Sequence, residues 1–425
     1  MRTIRFAPGA RTLLSGAWKR HGRMLRGLAV LYLAVAAIGK LRYALPHLLR
    51  EVETWSGLDV RYRLEEVRTW FSGNPVYGAV DSAVYPPATH VILWPIVGWG
   101  SVGTARVLWA VTILMAAAAL AQLIYRLASP APARDRLLVA GLVVAAYPLP
   151  LSVMVGQLGI HVAALVAWGA FVLFRSRPRW STDAVAAVLL AASLVKPSIS
   201  LPLVVVALVV SRRVRPAALV AATYAALTAV AVAVQPSGAL TLFRQWLQRA
   251  GERVPFEFGV PNLHMLLWWW GLEPWMTPIS LLALAVTVIW AWRRRDAPPW
   301  ILMGIAAIVT RLWAHSTPFD DAFLLFPAVA LFRAAFGPDV PERRLAAGLF
   351  AAAWAALLTP NWALINLPPL ATFVVQGGLA ILWVLVLGFL VVLAERRADP
   401  GRGDRRDRSS SHPVTSRGEA VAGGF

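Results

Sequence analysis

A single carboxylate, Asp59, stands in Gly57-Leu58-Asp59-Val60, just beyond the end of the first long apolar run. The polar and aromatic stretch after it closes with Tyr85-Pro86-Pro87 and is too hydrophilic to enter lipid. An acid held at a membrane edge is a candidate general base for a hydroxyl on a lipid-borne substrate. Other polar groups interrupt apolar sequence further on. They are Gln157 and His161 in Gly156-Gln157-Leu158-Gly159-Ile160-His161, Lys196 ahead of Pro197, and Asn262 and His264 in Pro261-Asn262-Leu263-His264. Arg311, His315, Asp320 and Asp321 follow in RLWAHSTPFDD. Each has a plainer reading. Asp59 also fits a solvated loop carboxylate, Lys196 a lysine snorkelling to headgroups, and Gln157 and His161 hydrogen-bonded helix packing. Asp81, Glu65 and Glu66 read as surface charges, and Trp268-Trp269-Trp270 as an interface anchor.

The elements that must carry these residues are membrane helices. The chain has 425 residues, 58% of them hydrophobic and 15% charged, more apolar surface than a soluble fold of this length could bury. There is no Cys, so disulfides and thiolate metal sites are excluded. The net charge of +20 sits in short arginine clusters between apolar runs, a membrane-topology signal and not a nucleic-acid footprint. Met1 to Arg26 carries seven Lys/Arg, no acid and no small-residue cleavage site, which predicts an uncleaved first span.

The hydropathy pattern predicts an all-α integral membrane protein with about twelve spans, at 25–46, 104–127, 136–155, 158–175, 182–196, 197–211, 216–235, 276–293, 298–314, 320–336, 344–359 and 367–394. With both termini inside, the inner side holds 29 of the 41 basic residues and 10 of the 21 acids. Residues 88–103 then read as a re-entrant or interfacial helix within a first outer loop, 47–103, because a full span there would send every later arginine cluster outside. The run 182–211 reads as a hairpin broken at Lys196-Pro197. Each arm of it rises ~22 Å, short of the ~30 Å hydrocarbon core, so Lys196 should lie in a cavity dipping in from the outer side. Residues 1–24 read as a basic cytoplasmic terminus, 25–395 as the membrane domain and 396–425 as a disordered tail. In this scheme the unusual polar residues all fall at outer ends of spans, which implies one shared polar cavity. Neither a Gly-rich phosphate loop nor a nucleotide-binding strand–turn–helix is present, so the substrates should be lipid-borne.

The order GLDVRYRLEEVRTWFSGNPVYGAVDSAVYPP, VGQLGIHVAALVAWGAFVLF, AAVLLAASLVKPSISLPLVV and HSTPFDDAFLLFPAVALF resembles glycosyltransferase family 87 of the GT-C superfamily, across residues 25 to 395. The resemblance implies a GT-C helical bundle and an inverting transferase facing the extracytoplasmic side of the cytoplasmic membrane. It also implies a polyprenyl-phosphate sugar donor, most simply mannose as in actinobacterial phosphatidylinositol mannoside and lipomannan assembly, and a glycolipid or lipoglycan acceptor. Asp59, Tyr62, Pro75 with Tyr77, and Tyr85-Pro86-Pro87 match the family's first-loop pattern, as Gly156-Gln157 and Lys196-Pro197 match its later elements. The Asn that often follows Gly-Gln is Gly159 or absent, and the Asn-Ser of the outer loop is Pro261-Asn262-Leu263-His264, a departure that bears on the acceptor. Asp59 is then the base, and Lys196, His315 and Arg311 attend the donor phosphate. Tyr62, Tyr85, Gln157, His161, Asn262, His264, Asp320 and Asp321 fall to substrate binding. The expected partners are the two substrates and membrane lipids, and no nucleic acid. No cofactor is demanded, and a divalent cation is left open. The alternative is a transporter or lipid flippase with Lys196, His315 and Asp320/Asp321 lining its path.

Overall fold

The computed structural model describes residues 8–129, 131–252, 262–313, 317–337, 342–359 and 367–398, and these are helical apart from turns and connections. The first helix, α1 (Pro8–Leu49), leads into a cap of short elements, α2 (Leu58–Phe71), α3 (Val76–Ala79) and α4 (Pro87–Val97). Then come α5 (Val102–Leu127), a broken segment α6 (Ala133–Ala140), α7 (Leu142–Ala145) and α8 (Pro148–Val155), and α9 (Gly159–Arg175). The hairpin is α10 (Trp180–Ser193) and α11 (Pro197–Ser211), followed by α12 (Val214–Ala233), α13 (Ala239–Glu252) and α14 (Leu263–Trp269). The last third is α15 (Met276–Arg293), α16 (Pro299–Trp313), α17 (Leu325–Phe336), α18 (Arg343–Leu357) and α19 (Pro369–Ala398).

Among the described residues each predicted span overlaps helix, the one at 136–155 broken into α6, α7 and α8. Six segments among the described residues are long and apolar enough to cross a membrane, and α4, α9, α10, α11 and α16 are shorter apolar helices. Proline and glycine set the breaks. Pro87, Pro148 and Pro197 occupy the first turns of α4, α8 and α11, where a missing N–H costs nothing. Chain direction reverses over Leu194–Lys196, so the hairpin arms are 14 and 15 residues long, as expected from Lys196-Pro197. At 11 residues α4 rises ~16 Å, too little to span, consistent with a re-entrant or interfacial helix.

Burial grades the bundle. In the segment 133–155, 78% of the apolar window is buried, against 11% in α1 and 17% in α12 and α15, which therefore form the periphery. Leu28, Leu31, Val35 and Ile38 of α1 and Leu281, Leu282 and Val286 of α15 are exposed, as a lipid-facing rim requires. The cap has its own small core of Trp70, Val76, Tyr77, Val80 and Ala83 against Ala231 and Leu242. The Trp70 indole donates to Ala231 O at 2.9 Å, and Gln235 Nε2 donates to Trp70 O at 2.6 Å, so α12 pins the cap. Trp246 of α13 donates to Val84 O at 3.0 Å from the other side. The first loop is thus a folded lid and not a solvated connection.

Glu66 is the sequence reading that needs correcting. It is 1% exposed, not a surface charge, because α2 turns it inward onto Arg63 (2.5 Å) and Ser82 Oγ (2.7 Å). Glu65 faces outward as expected, and Asp81 is an exposed partner of Arg249.

Candidate functional site

Asp59 lies in the first turn of α2, half-buried, where a carboxylate is favoured by the helix dipole. Two glycines fix that turn. Gly57 takes φ 57° and donates to Met154 O at 2.9 Å, tying the start of α2 to α8. Gly156 ends α8 at φ 82°, and a Cβ there would lie 2.3 Å from Val60 Cγ2. Three residues on, a Cβ at Gly159 would lie 2.5 Å from Phe319 O. The Gly156–Gly159 turn therefore seats α2 on one side and the turn carrying Asp320 on the other.

The hairpin tip delivers Lys196 to the same place. Its Nζ donates to Asp320 Oδ1 at 2.6 Å, and Asp320 Oδ2 accepts from Thr317 N at 3.2 Å and Thr317 Oγ1 at 3.0 Å. Thr89 of α4 donates to Val195 O at 2.9 Å, and Trp313 Nε1 to Ser198 O at 3.0 Å, so the tip is clamped by the lid and by α16. Tyr85 closes the cluster, within electrostatic reach of Lys196, Arg63, Asp59 and Asp320. Burial pushes its phenol above the ordinary value, so it is a neutral hydrogen-bonding group at neutral pH. Asp59 interacts with Arg63 and Lys196 as well.

Behind this cluster lies a second buried pair. Arg311 Nε approaches Asp321 Oδ1 at 2.5 Å, at 6% and 4% side-chain exposure, as an ion pair without well-aligned hydrogen-bond geometry. Tyr147 donates its hydroxyl to the other oxygen of Asp321. Consecutive aspartates thus face different cations, Asp320 the hairpin lysine and Asp321 the arginine of α16. A water-sized cavity of about 10 Å³ lies between Arg311, Asp320 and Asp321.

The remaining predicted residues are placed as follows. Tyr62 is half-buried one turn from Asp59, beside Arg63. Gln157 is half-buried in the glycine turn, its N–H donating to Ser152 O at 2.8 Å. His161 contacts Thr112 Oγ1 at 3.1 Å and meets Trp109 edge-on at 5.3 Å, which puts its ring in the α5–α9 packing. Asn262 caps α14 by accepting from Met265 N at 2.9 Å, and His264 meets Ser280 Oγ at 2.6 Å. His315 lies outside the described residues. Sequence reasoning missed Arg63, whose guanidinium binds Glu66, stacks on Tyr85 at 4.3 Å and is 4% exposed. Its signal was the spacing of four from Asp59, which puts both on one helix face. Among the described residues no group of three or more His, Asp or Glu could hold a metal ion.

Chemically the arrangement offers one accessible carboxylate and one lysine with donors to spare, in a wall of aromatic and apolar groups under a lid. A model of glycosyltransferase family 87 matches residues 83–317, which takes in Tyr85, Lys196 and Arg311 and begins after Asp59. No curated protein and no solved structure matches the chain.

Proposed function

The chain belongs to glycosyltransferase family 87, and from that membership we propose that this membrane glycosyltransferase moves mannose from a polyprenyl phosphate to a lipid-linked glycan acceptor at the extracytoplasmic face of the cytoplasmic membrane. The observation that carries the reading is that a glycine turn and a hairpin tip, from segments far apart in sequence, bring Asp59 within electrostatic reach of Lys196. Asp59 takes the proton of the acceptor hydroxyl as its oxygen attacks the anomeric carbon. The bond from that carbon to the phosphate oxygen breaks, and its electron pair leaves with the phosphate. A β-linked donor then yields an α-glycoside. Lys196 uses one of three N–H donors on Asp320, and the others stabilise charge developing on the departing phosphate. Arg311, enclosed with Asp321, supports the Asp320 turn from behind, and His315 is a further candidate for the phosphate by its place in the sequence.

The test is transfer by the purified protein in liposomes, offered several polyprenyl-phosphate sugars and a panel of lipid-linked acceptors. The expected product is a single α-mannosylated glycolipid. Asp59→Asn should lower kcat by about 10²–10⁴ with normal membrane insertion. Turnover of a nucleotide sugar without any polyprenyl phosphate would overturn the donor assignment, and full activity of Asp59→Asn the base.

A further inference from the structure

At the opposite end of the bundle lies a larger cavity that sugar transfer does not use. It has a volume of about 290 Å³ and is lined by the C-terminal end of α5, the second half of α9, α17 from Phe326 to Arg333 and the start of α16. Gly159 and Arg175 bound α9, so the Arg175 end of this cavity is roughly 24 Å from the glycine turn along the helix axis. Its floor is apolar and aromatic, with Phe171, Phe174, Trp300 and Phe326. Two guanidiniums, Arg175 and Arg333, line it, and no acidic side chain does.

The two cations are close enough to repel each other. Arg333 donates to Leu127 O at 2.5 Å and lies over the Trp300 ring at 5.1 Å, which orients it without neutralising it. Acids are present at this end but engaged elsewhere. Asp135 pairs with Arg26, Asp183 with Arg213 and Arg215, Asp296 with Arg212, Glu395 with Arg294, and Glu342 with Arg396. Among the described residues Arg175 has no acidic partner, and neither has Arg333. Like charges held at the mouth of an apolar cavity are unfavourable unless an anion joins them. Paired guanidiniums match phosphate oxygens, and the aromatic floor matches a hydrocarbon chain and not water.

We propose that this cavity binds one anionic phospholipid, its phosphate on Arg175 and Arg333 and the first part of an acyl chain on the aromatic floor. The arginine-rich end of the bundle faces the cytoplasm in the charge-asymmetry reading, where anionic headgroups attract such side chains. A free phosphate would leave the apolar floor unused, so the lipid is the source. The site is independent of the transfer reading.

Native mass spectrometry of the purified full chain tests this, after exchange into detergent with phosphatidylglycerol or phosphatidylcholine. One phosphatidylglycerol should be retained in preference to phosphatidylcholine. Arg175→Gln should weaken retention about fivefold, and the double variant with Arg333→Gln further. Arg175 is exposed and makes no bond to another described residue, so its substitution leaves the fold intact. Ala170→Leu, which fills the floor without touching either charge, should weaken retention as well. Equal retention of both lipids, unchanged retention in Arg175→Gln, or displacement by inorganic phosphate would each overturn the proposal.

Discussion

A lysine enclosed between apolar helices is stable only when charge and hydrogen bonds compensate it, and Asp320 does this for Lys196. That pairing makes two explanations of Lys196 compete, a structural ion pair and a phosphate ligand. Lys196→Met alone strands Asp320, which is 4% exposed, and should cost about 3–5 kcal/mol of stability, measured by thermal unfolding in detergent. Replacing both, Lys196→Met with Asp320→Leu, should recover most of that stability, since an apolar pair in such a place is close to neutral. If Lys196 meets the donor phosphate, the stable double variant should still turn over about 10²–10³ more slowly. Recovered activity would reduce the lysine to scaffolding. Residue types alone exposed Asp59, Lys196 and Asp320 to view, because a charge beside apolar sequence is conspicuous. Arg63 and Glu66 were hidden by their neighbours. In Leu58–Phe71, Arg61, Glu65 and Arg68 look the same, and only packing against Ser82 and Tyr85 decides which of them is buried.

Short irregular elements position the site, whereas long helices merely carry it. The Gly156–Gly159 turn is the joint between α2 and the Asp320 turn, and its glycines leave no space for a methyl group. Gly159→Ala would drive Cβ to 2.5 Å from Phe319 O, a backbone atom that can yield only by moving Asp320. Activity should fall at least as sharply as stability. Gly348→Ala in α18 is the control, since nothing lies within 4 Å of its added methyl. It should raise stability by about 0.5–1 kcal/mol and leave turnover unchanged. Equal behaviour of the two variants in unfolding and transfer assays would contradict the role given to the turn. The hairpin break was legible because Pro197 interrupts an apolar run flanked by arginines. Helices α2 and α3 of the lid were not, because they are short and the core of Trp70, Tyr77 and Val80 forms against α12 and α13.

Across the whole molecule, arginine placement predicts that the two ends lie on opposite sides of the membrane, and the absence of Cys makes that expectation testable one site at a time. Single cysteines at exposed Glu65 and Glu53 should react with an impermeant maleimide from outside intact cells. Cysteines at exposed Arg177 and Arg134 should react only after permeabilisation. The reverse pattern would place the Asp59 cluster on the cytoplasmic side and sink a polyprenyl-linked reaction at the outer face. The helical spans, the broken hairpin and the short α4 followed from hydropathy, proline and charge, since those signals act locally along the chain. The same local signals marked out Asp59 and Lys196 as unusual. They could not show that Asp320 and Asp321, adjacent in sequence, serve separate cations, or that His161 faces Thr112 and Trp109. Nor could they reveal that Arg175 and Arg333 meet over an aromatic cavity. Those facts depend on which helix faces pack together, and in an almost wholly apolar chain many rotations of a helix bury equal area. Only the assembled bundle, with its glycine contacts and buried ion pairs, selects among them.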